Sequence, residues 1–383
     1  MLTPLLILIF LRPFISPEAF PTAGAVYLNL LLACLCALLC LFLLDKRGRG
    51  KAETASLLPA ALFIIAILPS AFHGNADGAA LLINQLAGFS ACLLVSRMDK
   101  ERTSRIINAI TAAGAGIAVI ALYQYFYGFG HLAEYMAKNE MSGGIASDYL
   151  GSKRVFAPFV TSNALAGFLA MVIPLRMAGR KTALPSLLLI IPAFLLAKSL
   201  GAAAALFCGT LLFFSLSRNK FRKTALAVLL LAGVFIAAVF VLRSTGSQSP
   251  GFSLHSRLAY WKEIALIIKN SPVCGNGAGN CAGSASSFAH NLFLQLWCEL
   301  GIPGTAAFAW FIISTAGKAC AHIRRSGDDN YLLIFCAWTI FLVHNLADFT
   351  FFLPQISFIW WLIGGILISK PDLTKIPAPS ASP

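Results

Sequence analysis

Residues 24–44 read GAVYLNLLLACLCALLCLFLL, and the next seven read Asp45-Lys46-Arg47-Gly48-Arg49-Gly50-Lys51. A run of 21 uncharged, mostly apolar residues closed by four cations reads as a membrane-spanning helix with a basic end. The same pattern recurs along the chain. Apolar runs fall near 2–20, 24–44, 57–72, 79–96, 106–127, 157–175, 184–197, 199–216, 225–242, 292–317, 331–345 and 354–369. They are rich in Leu, Ala, Ile and Phe and do not alternate with polar residues. In hydrocarbon each segment must satisfy its own backbone hydrogen bonds, so the runs read as helices and not as barrel strands. The runs 57–72 and 184–197 are short and contain or adjoin proline.

Composition agrees. Of 383 residues, 58% are hydrophobic and only 11% are charged, where a soluble domain carries about a quarter. Mean hydropathy is +0.79. These values exclude a soluble enzyme, a secreted disulfide scaffold, a disordered chain and a nucleic-acid module. The net charge of +14 has a membrane explanation, because the cations cluster in alternate connections. They gather at 45–53, 97–105, 176–181, 217–223 and 318–330, and in the tail at Lys370 and Lys375. The positive-inside rule makes those connections and both termini cytoplasmic. No basic n-region or small-residue cleavage site marks a signal peptide. The expectation is an all-α, polytopic integral membrane protein, a single transmembrane domain over 1–383 with about twelve spans. Two long outer loops, 128–156 and 243–290, form its probable active-site face.

Nine cations remain on the outer side: Arg12, Lys138, Lys153, Arg154, Lys198, Arg243, Arg257, Lys262 and Lys269. The rule disfavours them there, so some call for a functional reason. In loop 243–290, apolar residues 258, 261, 264, 265 and 268 fit a helical stripe. Arg257 and Trp261 lie one turn apart on it. The segment reads as a short interfacial helix, either a plain anchor with snorkelling cations or a phosphate-binding face. Gly275, Gly277 and Gly279 follow at alternate positions. They permit close approach to a ligand or left-handed turns, and no βαβ context makes them a dinucleotide fingerprint. Cys274 and Cys281 flank this turn, and a disulfide between them is one reading. No CxxC pair exists and the six histidines are scattered, so neither a metal nor another cofactor is expected.

His290 and Asn291 then open an apolar helix at the outer boundary, where an imidazole exchanges protons near neutral pH. Glu299 lies nine residues on, or 2.5 turns, on the opposite face of a regular helix; it reads as a structural group paired with a buried polar partner. His344 and Asp348 lie at the outer end of another span. Arg154, Pro158 and Asn163 open a third. Candidate chemistry thus collects on one side from three distant stretches.

Those residues carry a family resemblance. The run His290-Asn291 through Glu299, Gly301 and Gly304 resembles the HNxxLxxxxExGxxG signature of the O-antigen ligase and polymerase superfamily. Arg257, Trp261, Pro272 and the glycines 275, 277 and 279 look like its upstream element, and Arg154…Asn163 and His344…Asp348…Pro354 like others. The resemblance covers about 150–370; the first five spans match in hydropathy alone. It implies a metal-independent glycosyltransferase at the periplasmic face of the bacterial inner membrane. The donor would be a glycan on undecaprenyl pyrophosphate. The acceptor would be another lipid-linked glycan, lipid A core sugar or a protein hydroxyl, among membrane lipids and with no nucleic acid. His290 would serve as base and Arg257 as diphosphate ligand, with Arg154, Lys198, Asn291 and Trp261 binding substrate. Glu299, Asp348, His344 and the three glycines would support them. The sequence departs from the family at 197–202. Leu200 stands where an Arg is expected, and Lys198 is the nearest cation, about 200° away around a helix. Two rival readings stand beside this one: a transporter for an anionic lipid or polymer, and an inactive assembly protein.

Overall fold

The computed structural model describes residues 2–15, 23–45, 54–72, 76–139, 144–178, 183–218, 227, 233, 250–281 and 288–369. Among the described residues there is helix and no strand. The elements are α1 (Thr3–Leu11), α2 (Ala23–Asp45), α3 (Thr54–Phe72), α4 (Ala76–Val95), α5 (Lys100–Tyr123), α6 (Phe129–Lys138), α7 (Gly144–Ser152) and α8 (Ser162–Ala178). After them come α9 (Ala183–Leu196), α10 (Leu200–Leu216), α11 (Pro250–Asn270), α12 (Leu292–Ser326), α13 (Asp329–His344) and α14 (Pro354–Ile368). Eleven of the twelve apolar runs contain a helix among the described residues; in the run 2–20 it spans Thr3–Leu11, and 16–20 lie outside the described residues. The run 225–242 lies outside the described residues except at 227 and 233, as do the basic turn 46–53 and the tail.

Helix ends follow local chemistry. Asp99, Ser199, Asn291 and Asp328 cap α5, α10, α12 and α13, each accepting a backbone N–H of the first turn. Gly327, with φ 63°, closes α12 in the left-handed conformation.

Helices α8, α13 and α14 form the centre. Every residue of Pro354–Ile368 is buried, which matches a helix that is apolar all round. It packs on α4 and α13, while α8 packs on α13, α9, α10 and α5. A Cβ on Gly365 would lie 2.6 Å from the Cys92 carbonyl oxygen, so α4 and α14 meet nearly backbone to backbone. Stacked Trp338 and Trp360, centroids 5.4 Å apart, fill the middle.

The outside is apolar too. Leu184, Leu188, Ile191 and Leu195 form an exposed stripe on α9, a pattern that faces lipid and not water. Among the described residues, three helical stretches, Asp77–Val95, Lys100–Lys138 and Leu292–Ser326, are long and apolar enough to cross a membrane, and eight others are apolar and shorter. The chain is an integral membrane protein in character.

Two expectations change. Segment 128–156, expected as a loop, is largely helical: α5 runs through a π turn (Gln124–Gly128) into α6, and α7 follows. The expected short interfacial helix is 21 residues long.

At one end of the bundle, Ser217 donates to Asp329 and Arg218 to the Arg324 carbonyl, joining two of the basic connections. At the other end, residues 152–155 meet 196–198, and 291–292 meet 345–346. The stretches expected to carry chemistry therefore share one end.

Candidate active site

The site is built on a break in α12. Gly301 has φ 66° and ψ −165°, which no helix tolerates. The carbonyls of Cys298 and Glu299 instead accept the amides of Asn276 (2.8 Å) and Gly277 (2.9 Å). Ile302 N donates to Val273 O at 3.1 Å. Gly275, Gly277 and Gly279 all have left-handed φ, at 74°, 87° and 80°. A Cβ on Gly275 would sit 2.4 Å from the Glu299 oxygen, and one on Gly301 would sit 2.0 Å from Val273 O. The glycine-rich turn is therefore a backbone plug in the helix break.

This plug fixes the piece Leu292–Leu300, whose start carries His290. Asn291 Oδ1 accepts Leu294 N (3.0 Å), and its Nδ2 donates to Leu346 O (2.9 Å). Leu292 N donates to Asn345 O at 2.8 Å, tying the turn to the end of α13. His290 itself has φ 49°, a strained region for a residue with a Cβ. Gln295 holds it there. Its Oε1 accepts Ala289 N (2.7 Å), and its Nε2 donates to Glu299 Oε1 (2.6 Å). Glu299 Oε1 also accepts Gly279 N at 3.2 Å. The carboxylate thus faces the plug and reaches His290 only through Gln295.

Helix α11 supplies the cation. Arg257 Nη2 lies 3.8 Å from Asp348 Oδ2, with the two side chains 17% and 3% exposed. At that distance the pair is loose, and the guanidinium fork keeps donors for a ligand. Asp348 Oδ1 accepts Phe349 N at 2.8 Å, which aims the carboxylate. The His290 ring stacks on Tyr260 (5.9 Å) and meets the edge of Phe349 (5.0 Å). Burial lowers the His290 pKa below its usual 6.5, Asp348 pulls it up, and Arg257 pushes it down. The imidazole is therefore mostly neutral at pH 7. Its Nδ1, the Trp261 Nε1 and the His344 Nε2 are buried and lack hydrogen-bond partners. Unpaired buried nitrogens around an ion pair suit a polar ligand. His344 packs where α8 offers Gly167; a Cβ there would lie 2.6 Å from its ring.

Arg154 stands in a second group. Its Nε donates to Ala197 O (3.2 Å) and its Nη2 to Asn163 Oδ1 (3.1 Å), and it lies over the Tyr149 ring. Burial lowers its pKa, Tyr149 raises it, and nearby Arg257 lowers it. The two arginines therefore feel one another's charge. Lys198 Nζ donates to Ser152 O at 2.7 Å and ties two loops together. Leu200, where the resemblance led to the expectation of an Arg, is 49% exposed at the start of α10.

The disulfide expectation is corrected. Cys281 pairs with Cys298, Cα atoms 6.0 Å apart, and Cys274 is an exposed free thiol. Once the turn plugs the break, Cys281 is buried beside α12 while Cys274 stays at the surface. Tyr260, Gln295 and Tyr149 were not anticipated. Tyr260 and Gln295 carry helical signals, three residues after Arg257 and four before Glu299.

No curated protein gives a match to the chain. Residues 185–309 match the family model described as O-antigen ligase. That segment holds the glycine-rich turn, Arg257, His290 and Glu299, and it is similar to O-antigen ligases.

Proposed function

We propose that the chain transfers a glycan from undecaprenyl pyrophosphate to an acceptor hydroxyl, in the manner of an O-antigen ligase. The observation that carries this reading is His290. It is mostly neutral, held in a strained turn, and close enough to Arg257 to feel its charge. In the reaction, an acceptor oxygen forms the new bond to the anomeric carbon. The hydroxyl proton passes to His290, and the bond from that carbon to the diphosphate oxygen breaks. General-base help of this kind gives about 10²–10⁴-fold. The leaving diphosphate gains negative charge, which the Arg257 fork stabilises. Asp348 orients that fork. Trp261 Nε1, one turn along α11, offers a further donor. Arg154 is a second cation for the donor, already committed to Asn163 and Ala197. Asn291 binds substrate less directly, since its amide fixes the turn.

We further place the site on the periplasmic side of the inner membrane, in a single twelve-span domain with both termini in the cytoplasm. The alternation of basic connections supports this. So does the Cys281–Cys298 disulfide beside His290, since disulfides persist in oxidising compartments.

The test is a surface-glycan profile of the source cell with the gene deleted, then restored as wild type or His290→Ala. Accumulated lipid-linked polymer with bare acceptor, uncorrected by His290→Ala, supports the ligase. Acceptors with a single repeat unit point to a polymerase of the same superfamily. Full restoration by a well-expressed His290→Ala overturns the assignment and favours transport or assembly.

A further inference from the structure

We infer that the Cys281–Cys298 disulfide positions the transfer site, coupling the helix that carries Arg257 to the turn that carries His290. This rests on the transferase reading above. The bond closes a stretch with a sequence separation of 17, and that ring of chain contains His290, Asn291 and Gln295. Both cysteines are fully buried, in a small apolar cluster separate from the main core. The cluster comprises Ile264, Ile268, Cys281, Ala289 and Cys298, with Ile267 and Leu294 against it. Ala289 immediately precedes His290. Ile264 and Ile268 lie seven and eleven residues after Arg257 on α11, the same helical face. One covalent bond thus touches both halves of the site. Helix α11 depends on it, because α12 is its main neighbour among the described elements.

The chemistry balances simply. Closing the bond takes two thiols to one disulfide. Two electrons and two protons pass to a disulfide-bearing oxidant of the compartment, which becomes two thiols. Before that step, α11 meets the His290 turn through the Tyr260–His290 ring contact and this small apolar cluster, with no cross-link to hold either. The enzyme is therefore switched on by oxidation, after its outer loops have left the reducing cytoplasm. A misplacement near 1 Å costs a reaction about 10²-fold, so loosening this contact acts on turnover before it acts on folding.

The test uses full-length protein in nanodiscs, in a Cys274→Ser background that removes the nearby free thiol. Transfer from an undecaprenyl-pyrophosphate-linked glycan is measured with the protein oxidised, reduced by dithiothreitol, and carrying Cys281→Ala with Cys298→Val. The last pair keeps the cluster apolar. Hydrogen exchange at 257–270 and 289–298 is followed in each form. Reduction and the double variant are expected to lower kcat/KM for the donor about 10- to 100-fold, with the acceptor KM nearly unchanged. Exchange should rise at 257–270 and 289–298 alone, and reoxidation should restore the wild type but not the variant. A merely structural bond would instead lower the melting temperature and raise exchange throughout. Equal donor kinetics, or unchanged exchange at both segments, overturns the inference. An oxidised protein that transfers nothing overturns the transferase reading, and the exchange data still decide the coupling.

Discussion

In the proposed transfer the proton is taken by His290, and the surroundings of that ring set its charge. Burial outweighs Asp348 and lowers its pKa below 6.5. Base catalysis by the neutral ring should thus persist to a lower pH than an ordinary imidazole would allow, and fall on further acidification. Folding has the same sign. The unfolded chain takes up the proton first, so this group's contribution to stability is complete above pH 6.5 and declines as pH drops toward the folded value. A kcat/KM profile against pH, with a flat residual profile for His290→Ala, checks the point. Gln295 is the second decisive residue. In Gln295→Leu, Ala289 N and Glu299 lose a buried partner, each costing about 1–3 kcal/mol; we expect a lower melting temperature and a lower kcat. A Gln295→Leu enzyme with wild-type kcat would contradict the link from Glu299 to His290. That His290, Arg257 and Asp348 lie on one side was legible in the sequence, because ionisable groups at the boundary of apolar runs stand out. Gln295 was not, because its key partner is a backbone amide. Tyr260 was hidden because an aromatic residue on an interfacial helix reads equally as an anchor.

Among the elements, α12 and the glycine-rich turn form one unit. The sequence shows 292–317 as a single apolar run, and shows three glycines without their purpose. Neither reveals that the run breaks at Gly301 and that the turn fills the break. That needs both backbones at once, as does the choice of Cys298 over Cys274 as the partner of Cys281. Gly301→Ala should be costly twice over. A backbone at φ 66° and ψ −165° is essentially confined to glycine and costs about 1–3 kcal/mol for a residue with a Cβ, and the added carbon would lie 2.0 Å from Val273 O. Melting in detergent should drop by several degrees, and transfer should fall with it. Gly130→Ala, on exposed α6 with open space around it, is the control and should change neither. A Gly301→Ala protein that melts and transfers like wild type would show that the break is not needed.

For the whole molecule, hydropathy was enough to find most of the apolar helices, since period and length survive without any contact information, but not the two helices within 128–156. The packing order was not legible. Which helix becomes the buried centre depends on small-residue contacts such as Gly365 against Cys92, and these have no signature in one sequence. The arrangement predicts sidedness. Cys274, exposed on the same plug as the site, should react with a membrane-impermeant maleimide added outside intact spheroplasts. Cys281 and Cys298 should react only after reduction, and Cys274 labelling only in inverted vesicles would reverse the topology. The transfer itself is tested most directly by purified protein, a radiolabelled undecaprenyl-pyrophosphate glycan and an acceptor. We predict that wild type moves the glycan and releases undecaprenyl pyrophosphate, while folded His290→Ala and Arg257→Ala leave the donor intact. Glycan transfer by folded His290→Ala at the wild-type rate would contradict the role given to this site.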